Sequence, residues 1–186
     1  DEALNYALKS LEMREKLSTL GAKCSTIESL NLIAYVYSNF GDHVRALDYF
    51  SRVADQIKSS KSLINLDVAK SLHNVGVAHQ LLGEHNKALE FPLTALEIKK
   101  LHYRNAQHPD LARSLNIVGV TLGKLNEPEN GIEYLERAYE IRKSVHKAVN
   151  HSDLVQSMNS LGIVNGLLGE HDKSLDYFKR AIEMSN

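Results

Sequence analysis

The strongest constraint on this chain is that it repeats itself. Residues 28–54 read ESLNLIAYVYSNFGDHVRALDYFSRVA, and they align with KSLHNVGVAHQLLGEHNKALEFPLTAL (70–96), RSLNIVGVTLGKLNEPENGIEYLERAY (113–139) and QSMNSLGIVNGLLGEHDKSLDYFKRAI (156–182), at offsets of 42, 43 and 43 residues. EALNYALKSLEMREK (2–16) matches only the second half of the unit, again at an offset of 43. A period of this length marks a stacked array, because one supersecondary unit cannot bury its own apolar face and must cover it with the next.

Each unit divides into two helical halves, with apolar residues at three- and four-residue spacing. In the second unit Leu72, Val75, Gly76 and His79 share one face of a first helix, and Ala88, Leu89, Pro92, Ala95 and Leu96 share a face of a second. The turn between them falls at Gly41-Asp42, Gly83-Glu84, Asn126-Glu127 and Gly169-Glu170, and glycine or asparagine is what a left-handed helix terminus favours. Small residues recur in register: Ala34, Gly76, Gly119 and Gly162 in the first helix, Ala46, Ala88, Gly131 and Ser174 early in the second, and Val53, Ala95, Ala138 and Ala181 later in it. Side chains this small let helices approach closely. First helices start beside Asn65-Leu66-Asp67, His108-Pro109-Asp110 and His151-Ser152-Asp153, where an early aspartate suits the helix dipole and Pro109 suits the first helical position. The expectation is an all-α array over 1–186: the second helix of a partial repeat at 1–20, then repeats at 25–62, 66–104, 109–147 and 152–186.

Composition agrees with a folded chain and narrows the partners. Apolar residues make up 43% and charged residues 24%, and 22 lysines and arginines face 23 acids with no long block of either sign. A general affinity for nucleic acid or acidic membranes is therefore not expected. No run of about 18 apolar residues and no signal peptide is visible. Cys24 is the single cysteine, which excludes an internal disulfide framework and a cysteine-rich zinc site and points to a reducing, cytoplasmic setting. The chain opens on Asp1 in mid-pattern, as a piece of a longer protein would.

The spacing of leucine, glycine, turn glycine, alanine, aromatic and alanine resembles the tetratricopeptide repeat, whose units usually run about 34 residues. The longer unit here, with HPDLARSLN at 108–116, is similar to the subclass found in kinesin light chains. The resemblance implies a right-handed superhelix of helix pairs with the first helices lining a concave groove. The tryptophan that often opens the family's first helix is replaced by Leu30, Leu72, Leu115 and Met158. The third unit departs furthest, with Asn126 in place of the turn glycine, Pro128 in the turn and Gly131 in place of alanine, and is expected to be the softest part of the stack.

By the same resemblance, the groove is lined by columns of the first helix. One column holds Asn31, His73, Asn116 and Asn159. An asparagine both donates and accepts, so such a row can hold the backbone of an extended peptide; the alternatives are a solvated polar face or pairing between neighbouring repeats. Four residues on, Tyr35, Val77, Val120 and Ile163 offer an apolar floor for anchoring side chains. The charged column reads Glu28, Lys70, Arg113 and Gln156, and its Lys70 and Arg113 make the centre mildly basic, suiting a ligand with an acidic or amidic middle and an apolar anchor. The family's heat-shock-chaperone clamp needs lysine and asparagine where this chain has Asn31 or His73 and Tyr35 or Val77, so that ligand is not implied.

His43, His85 and His171 share one turn position in successive units and so lie apart, and His73, His79 and His85 are spaced by six rather than the three or four of a helical metal pair. No nucleophile elbow, phosphate loop or isolated acid pair is present. No catalytic residue, metal site or cofactor is expected. Pro92 is the local contradiction: inside a helix it removes the hydrogen bond to the Ala88 carbonyl and costs about 3 kcal/mol unless the helix bends. It is expected to bend the second helix of the second unit near Ala88, either as a kink absorbed between repeats or as a hinge. The whole reads as a non-catalytic module that binds a protein or peptide partner in its groove. The alternatives are a sensory or regulatory domain of a larger protein, and a scaffold that self-associates through uncapped terminal repeats.

Overall fold

A computed structural model describes residues 2–19, 26–59, 66–103, 107–145 and 152–185. Cys24, Asn65 and His151 lie outside them. Among the described residues the chain forms a lone helix α1 (Glu2–Thr19) and then four antiparallel pairs: α2 (Ile27–Asn39) with α3 (His43–Ser59), α4 (Leu66–Leu81) with α5 (His85–His102), α6 (Pro109–Lys124) with α7 (Pro128–Val145), and α8 (Ser152–Leu168) with α9 (His171–Ser185). Each helix packs on its successor. The first helix α6 also touches both α4 and α8, whereas no two second helices make comparable contact among the described residues. First helices converge and second helices splay, so the stack curves with α2, α4, α6 and α8 on its inner side. The chain is an all-α superhelix of one half and four whole repeats.

The turn inside every pair is built the same way. Gly41, Gly83 and Gly169 take φ of +77°, +75° and +86°, and Asn126 takes +62°. The left-handed residue lets the next amide reach back five residues: Asp42 to the Tyr37 carbonyl at 2.9 Å, Glu84 to His79 at 2.9 Å, Glu127 to Leu122 at 3.0 Å and Glu170 to Asn165 at 2.9 Å. This pattern satisfies carbonyls that the helix end would otherwise orphan. The same acidic residue then opens the second helix, its carbonyl accepting from Ala46, Ala88, Gly131 and Ser174. The Gly-Glu-His of two repeats is thus a helix stop followed by a helix start.

Close approach explains the small-residue columns. A Cβ added to Gly131 would lie 2.6 Å from the Gly119 carbonyl oxygen, and one added to Gly119 would lie 2.7 Å from the Gly131 oxygen. In the third repeat, which departs furthest from the pattern, α6 and α7 are in extensive contact among the described residues. Its glycine at the alanine position is what permits that approach. In the second repeat α5 runs unbroken through a buried Pro92. A Cβ added to Gly76 would meet the Pro92 Cδ at 2.6 Å and the Ala88 oxygen at 3.2 Å, so the proline and the carbonyl it leaves without an amide both rest against a glycine.

Successive repeats are fastened through a serine column, Ser29, Ser71, Ser114 and Ser157, buried throughout. Each hydroxyl meets a different preceding residue: Ser10 Oγ at 3.1 Å, Asn31 Nδ2 at 2.7 Å, Lys99 Nζ at 2.9 Å and Arg142 Nη1 at 2.6 Å. Lys99 and Arg142 are themselves 2% and 3% exposed. They donate also to the carbonyls of Asp110 at 3.1 Å and Asp153 at 2.8 Å in the first turn of the next helix. Burying a cation is tolerable only with such partners. Burial still drives the Lys99 ammonium down to about 8, against the pull of Asp110.

Candidate functional site

The inner face can be followed from α2 to α8. Between α2 and α4 lies a shallow depression of about 360 Å³, lined by Ile27, Glu28, Asn31, Leu32, Tyr35, Asp67, Lys70 and Asn74. Tyr35 and Leu32 present apolar surface here, 46% and 50% exposed. Tyr35 is held edge-on to Phe50 at 5.7 Å, and its hydroxyl accepts from Asn74 Nδ2. Four of the anticipated groove-column residues, Glu28, Asn31, Tyr35 and Lys70, therefore meet in one place.

The asparagine column is not a uniform exposed row. Asn159 is exposed and Asn31 half-buried, but His73 and Asn116 are buried at 7% and 5% exposure. Asn31 uses its Nδ2 to reach Ser71 in the next repeat, so pairing between repeats does occur in this column. Asn31 Oδ1, His73 Nδ1 and Asn116 Oδ1 are each buried without a hydrogen-bond partner. Burial, reinforced by the charges of Lys99 and Arg113, pushes the His73 imidazole down to about 3, so it is neutral at neutral pH. Along the floor column, Val77 and Val120 are half-buried and Ile163 is 46% exposed.

Charge is partly spent locally. Lys70 Nζ lies 3.3 Å from Asp67 one turn away, Glu28 lies 3.1 Å from Arg14, and Gln156 accepts from Arg142 at 2.9 Å. Arg113 is exposed and makes no ion pair among the described residues. No group of three metal-ligating side chains occurs among the described residues. His79 does have a carboxylate partner, Glu84 at 2.7 Å, and stacks on Phe91 at 5.4 Å, which serves the turn.

A sequence model described as tetratricopeptide repeat matches residues 67–144 and 129–186. The chain belongs to the tetratricopeptide repeat family. Its fold is shared with several solved structures. BtubC (BKLC) from P. vanneervenii superposes with a TM-score of 0.81 at 20% identity, over 98% of this chain and 72% of that one. A putative kinesin light chain from Podosopora anserina, described as having nearly identical TPR-like repeats, gives 0.67 at 18% identity over 96% and 86%. MamA gives 0.60 at 18% identity over 94% and 85%. No curated protein matches the chain significantly. The 42- to 43-residue unit and these neighbours give this tetratricopeptide array the kinesin-light-chain-like form of the fold. No helix among the described residues is long and apolar enough to cross a membrane.

Two features of this tetratricopeptide array escape the column reading. Leu32 and Asn74 line the depression one residue beyond the asparagine column, and that neighbouring column (Leu32, Asn74, Ile117, Ser160) was the available signal. The serine column is identical in all four repeats, and that invariance marks a shared contact.

Proposed function

We propose that this tetratricopeptide array is a non-catalytic docking module that holds an extended segment of a protein partner on its inner face, entering at the α2–α4 depression. One observation carries the reading: the depression joins exposed apolar surface, Tyr35 and Leu32, to the polar side chains of Asn31, Lys70 and Asn74. An apolar anchor of the ligand covers Tyr35 and Leu32, while its backbone amides supply donors toward the asparagine column. Arg113, central and without an ion pair among the described residues, favours an acidic or amidic residue in the ligand's middle. His73 and Asn116 lie beneath the surface, so they act on a ligand only where side chains above them shift. The remaining column residues Asn159 and Ile163 extend the surface along α8, and Val77 and Val120 form its floor.

The test is selection of binders from a random peptide library on the 186-residue chain, followed by affinity measurement on variants. Tyr35→Ala and Arg113→Glu should each weaken the selected peptides at least ten-fold with little change in thermal midpoint. Peptides that bind both variants as well as the parent would place the docking surface elsewhere.

A second reading, association through a terminal repeat, is supported by α9. Ile182 is 61% exposed, while its equivalents Ala54 and Leu96 are 3% and 1% exposed beneath the following repeat. Light scattering tests it: a mass that rises with concentration, and falls on Ile182→Glu, supports association, and a constant monomer mass removes it.

A further inference from the structure

The second helices carry, on the outer side of the array, a column that is arginine in three of the four repeats: Arg52, Thr94, Arg137 and Arg180. Two of the three arginines are fully engaged. Arg52 Nη2 lies 2.8 Å from Glu15 Oε1 of α1, with its guanidinium 5.4 Å from the Tyr49 ring. Arg180 lies 3.5 Å from Asp176, donates to Tyr139 Oη at 3.1 Å and sits 5.5 Å from the Tyr177 ring.

Arg137 has lost two of these partners by substitution, although Tyr134 keeps the place of Tyr49 and Tyr177. In repeat register, Lys100 stands where Glu15 serves Arg52, and Leu96 stands where Tyr139 serves Arg180. Glu133, the equivalent of Asp176, forms no ion pair with it, and Arg137 makes no hydrogen bond or ion pair among the described residues. Beside it α5, α6 and α7 leave a depression of about 230 Å³ lined by Lys100, Leu115, Glu133, Tyr134 and Arg137. Two cations and a phenol thus border a space whose equivalent, two joints earlier, holds a carboxylate. Lys100 gives one donor to Glu97 at 2.8 Å and has two more.

We propose that this outer depression binds a carboxylate, held by Arg137 and flanked by Lys100 and Tyr134, much as Arg52 holds Glu15 through one hydrogen bond. A guanidinium pairs with a carboxylate through two parallel hydrogen bonds. Glu133 in the same lining disfavours multiply charged anions such as a phosphate dianion and leaves a singly charged carboxylate as the occupant. The carboxylate comes either from an aspartate or glutamate of a partner protein or from a free organic acid. The site lies on the opposite side of the array from the inner groove and is independent of it.

Arginine side-chain resonances of the 186-residue chain test this directly by NMR. Three titrants separate the sources: acetyl-Ala-Glu-Ala-amide, its glutamine counterpart and free propionate. Saturable movement of the Arg137 Nε–Hε signal is expected with the glutamate peptide and absent with the glutamine peptide, with Arg52 unmoved as the internal control. Saturation by propionate as well identifies a site for free acids, whereas saturation by the peptide alone identifies a side chain. Arg137→Gln should weaken binding at least five-fold. Lys100→Glu, which places a carboxylate where Glu15 stands, should abolish saturation while keeping the fold. No saturable movement, equal movement with the glutamine peptide, or unchanged affinity in Arg137→Gln would overturn the proposal.

Discussion

His73 shows at the scale of a single residue how a column shared by four repeats acquires a private property. Its imidazole is held near 3 in the folded chain, against an ordinary value of 6.5. Between those values the unfolded chain binds a proton that the folded chain refuses, so this contribution is complete above about pH 6.5 and is lost as pH falls toward 3. The loss has a ceiling of about 5 kcal/mol from the size of that difference. His73→Asn, which restores the residue of the other repeats, should flatten the acid limb of the midpoint-against-pH curve. A parallel curve would show that His73 does not control it. Lys99 acts with the same sign at alkaline pH. Its ammonium is depressed from 10.5 to about 8, so the array should gain stability from pH 8 upward until tyrosine ionisation above 10 opposes it. Neither residue's depth was legible in the sequence. Periodicity gives the direction in which a side chain leaves its helix, but the next repeat's approach decides whether it is covered.

Between elements, the controlling quantity is how closely paired helices approach, and glycines report it. Gly131→Ala should lower stability by about 1–3 kcal/mol through overpacking, although alanine is intrinsically the better helix former by about 1 kcal/mol. Gly166→Ala is the control, since its added Cβ would meet only the Ser174 hydroxyl at 3.3 Å. It should be neutral or stabilising in the same denaturation experiment. If both behave alike, packing between α6 and α7 is not the cause. Pro92 belongs to the same scale. Pro92→Leu returns the amide to the Ala88 carbonyl and supplies the residue that the third repeat packs on its own glycine, as Leu135 on Gly119. A rise in thermal midpoint is expected; a fall would mean that the proline ring's fit against Gly76 outweighs the missing hydrogen bond. The small-residue columns, the turns and the helix boundaries could be read from the sequence because each depends on neighbours within one repeat. The tight third repeat could not, because a glycine off pattern looks like a defect until its partner helix is in view.

For the whole molecule, stability is a sum of repeats and joints, so damage at one joint should stay local. Arg142 is the main polar fastening between the third and fourth repeats, with donors to Asp153, Ser157 and Gln156. Arg142→Ala leaves the buried Ser157 hydroxyl without its donor, at a cost of about 1–3 kcal/mol. Amide exchange should quicken in α8 and α9 and stay unchanged in α2 and α3. Uniform quickening would mean that the array unfolds as one unit. The serine column has a further bearing on how such arrays are built. Its socket is constant while its plug is another serine, an asparagine, a lysine or an arginine. The repeats are therefore alike as folded units but not interchangeable as parts. Excising residues 58–99 would keep the helical register and bring Ser114 to the place of Ser71, so that its donor passes from Lys99 to Asn31. Shortening or shuffling this array should change how its joints are fastened before it disturbs its helices.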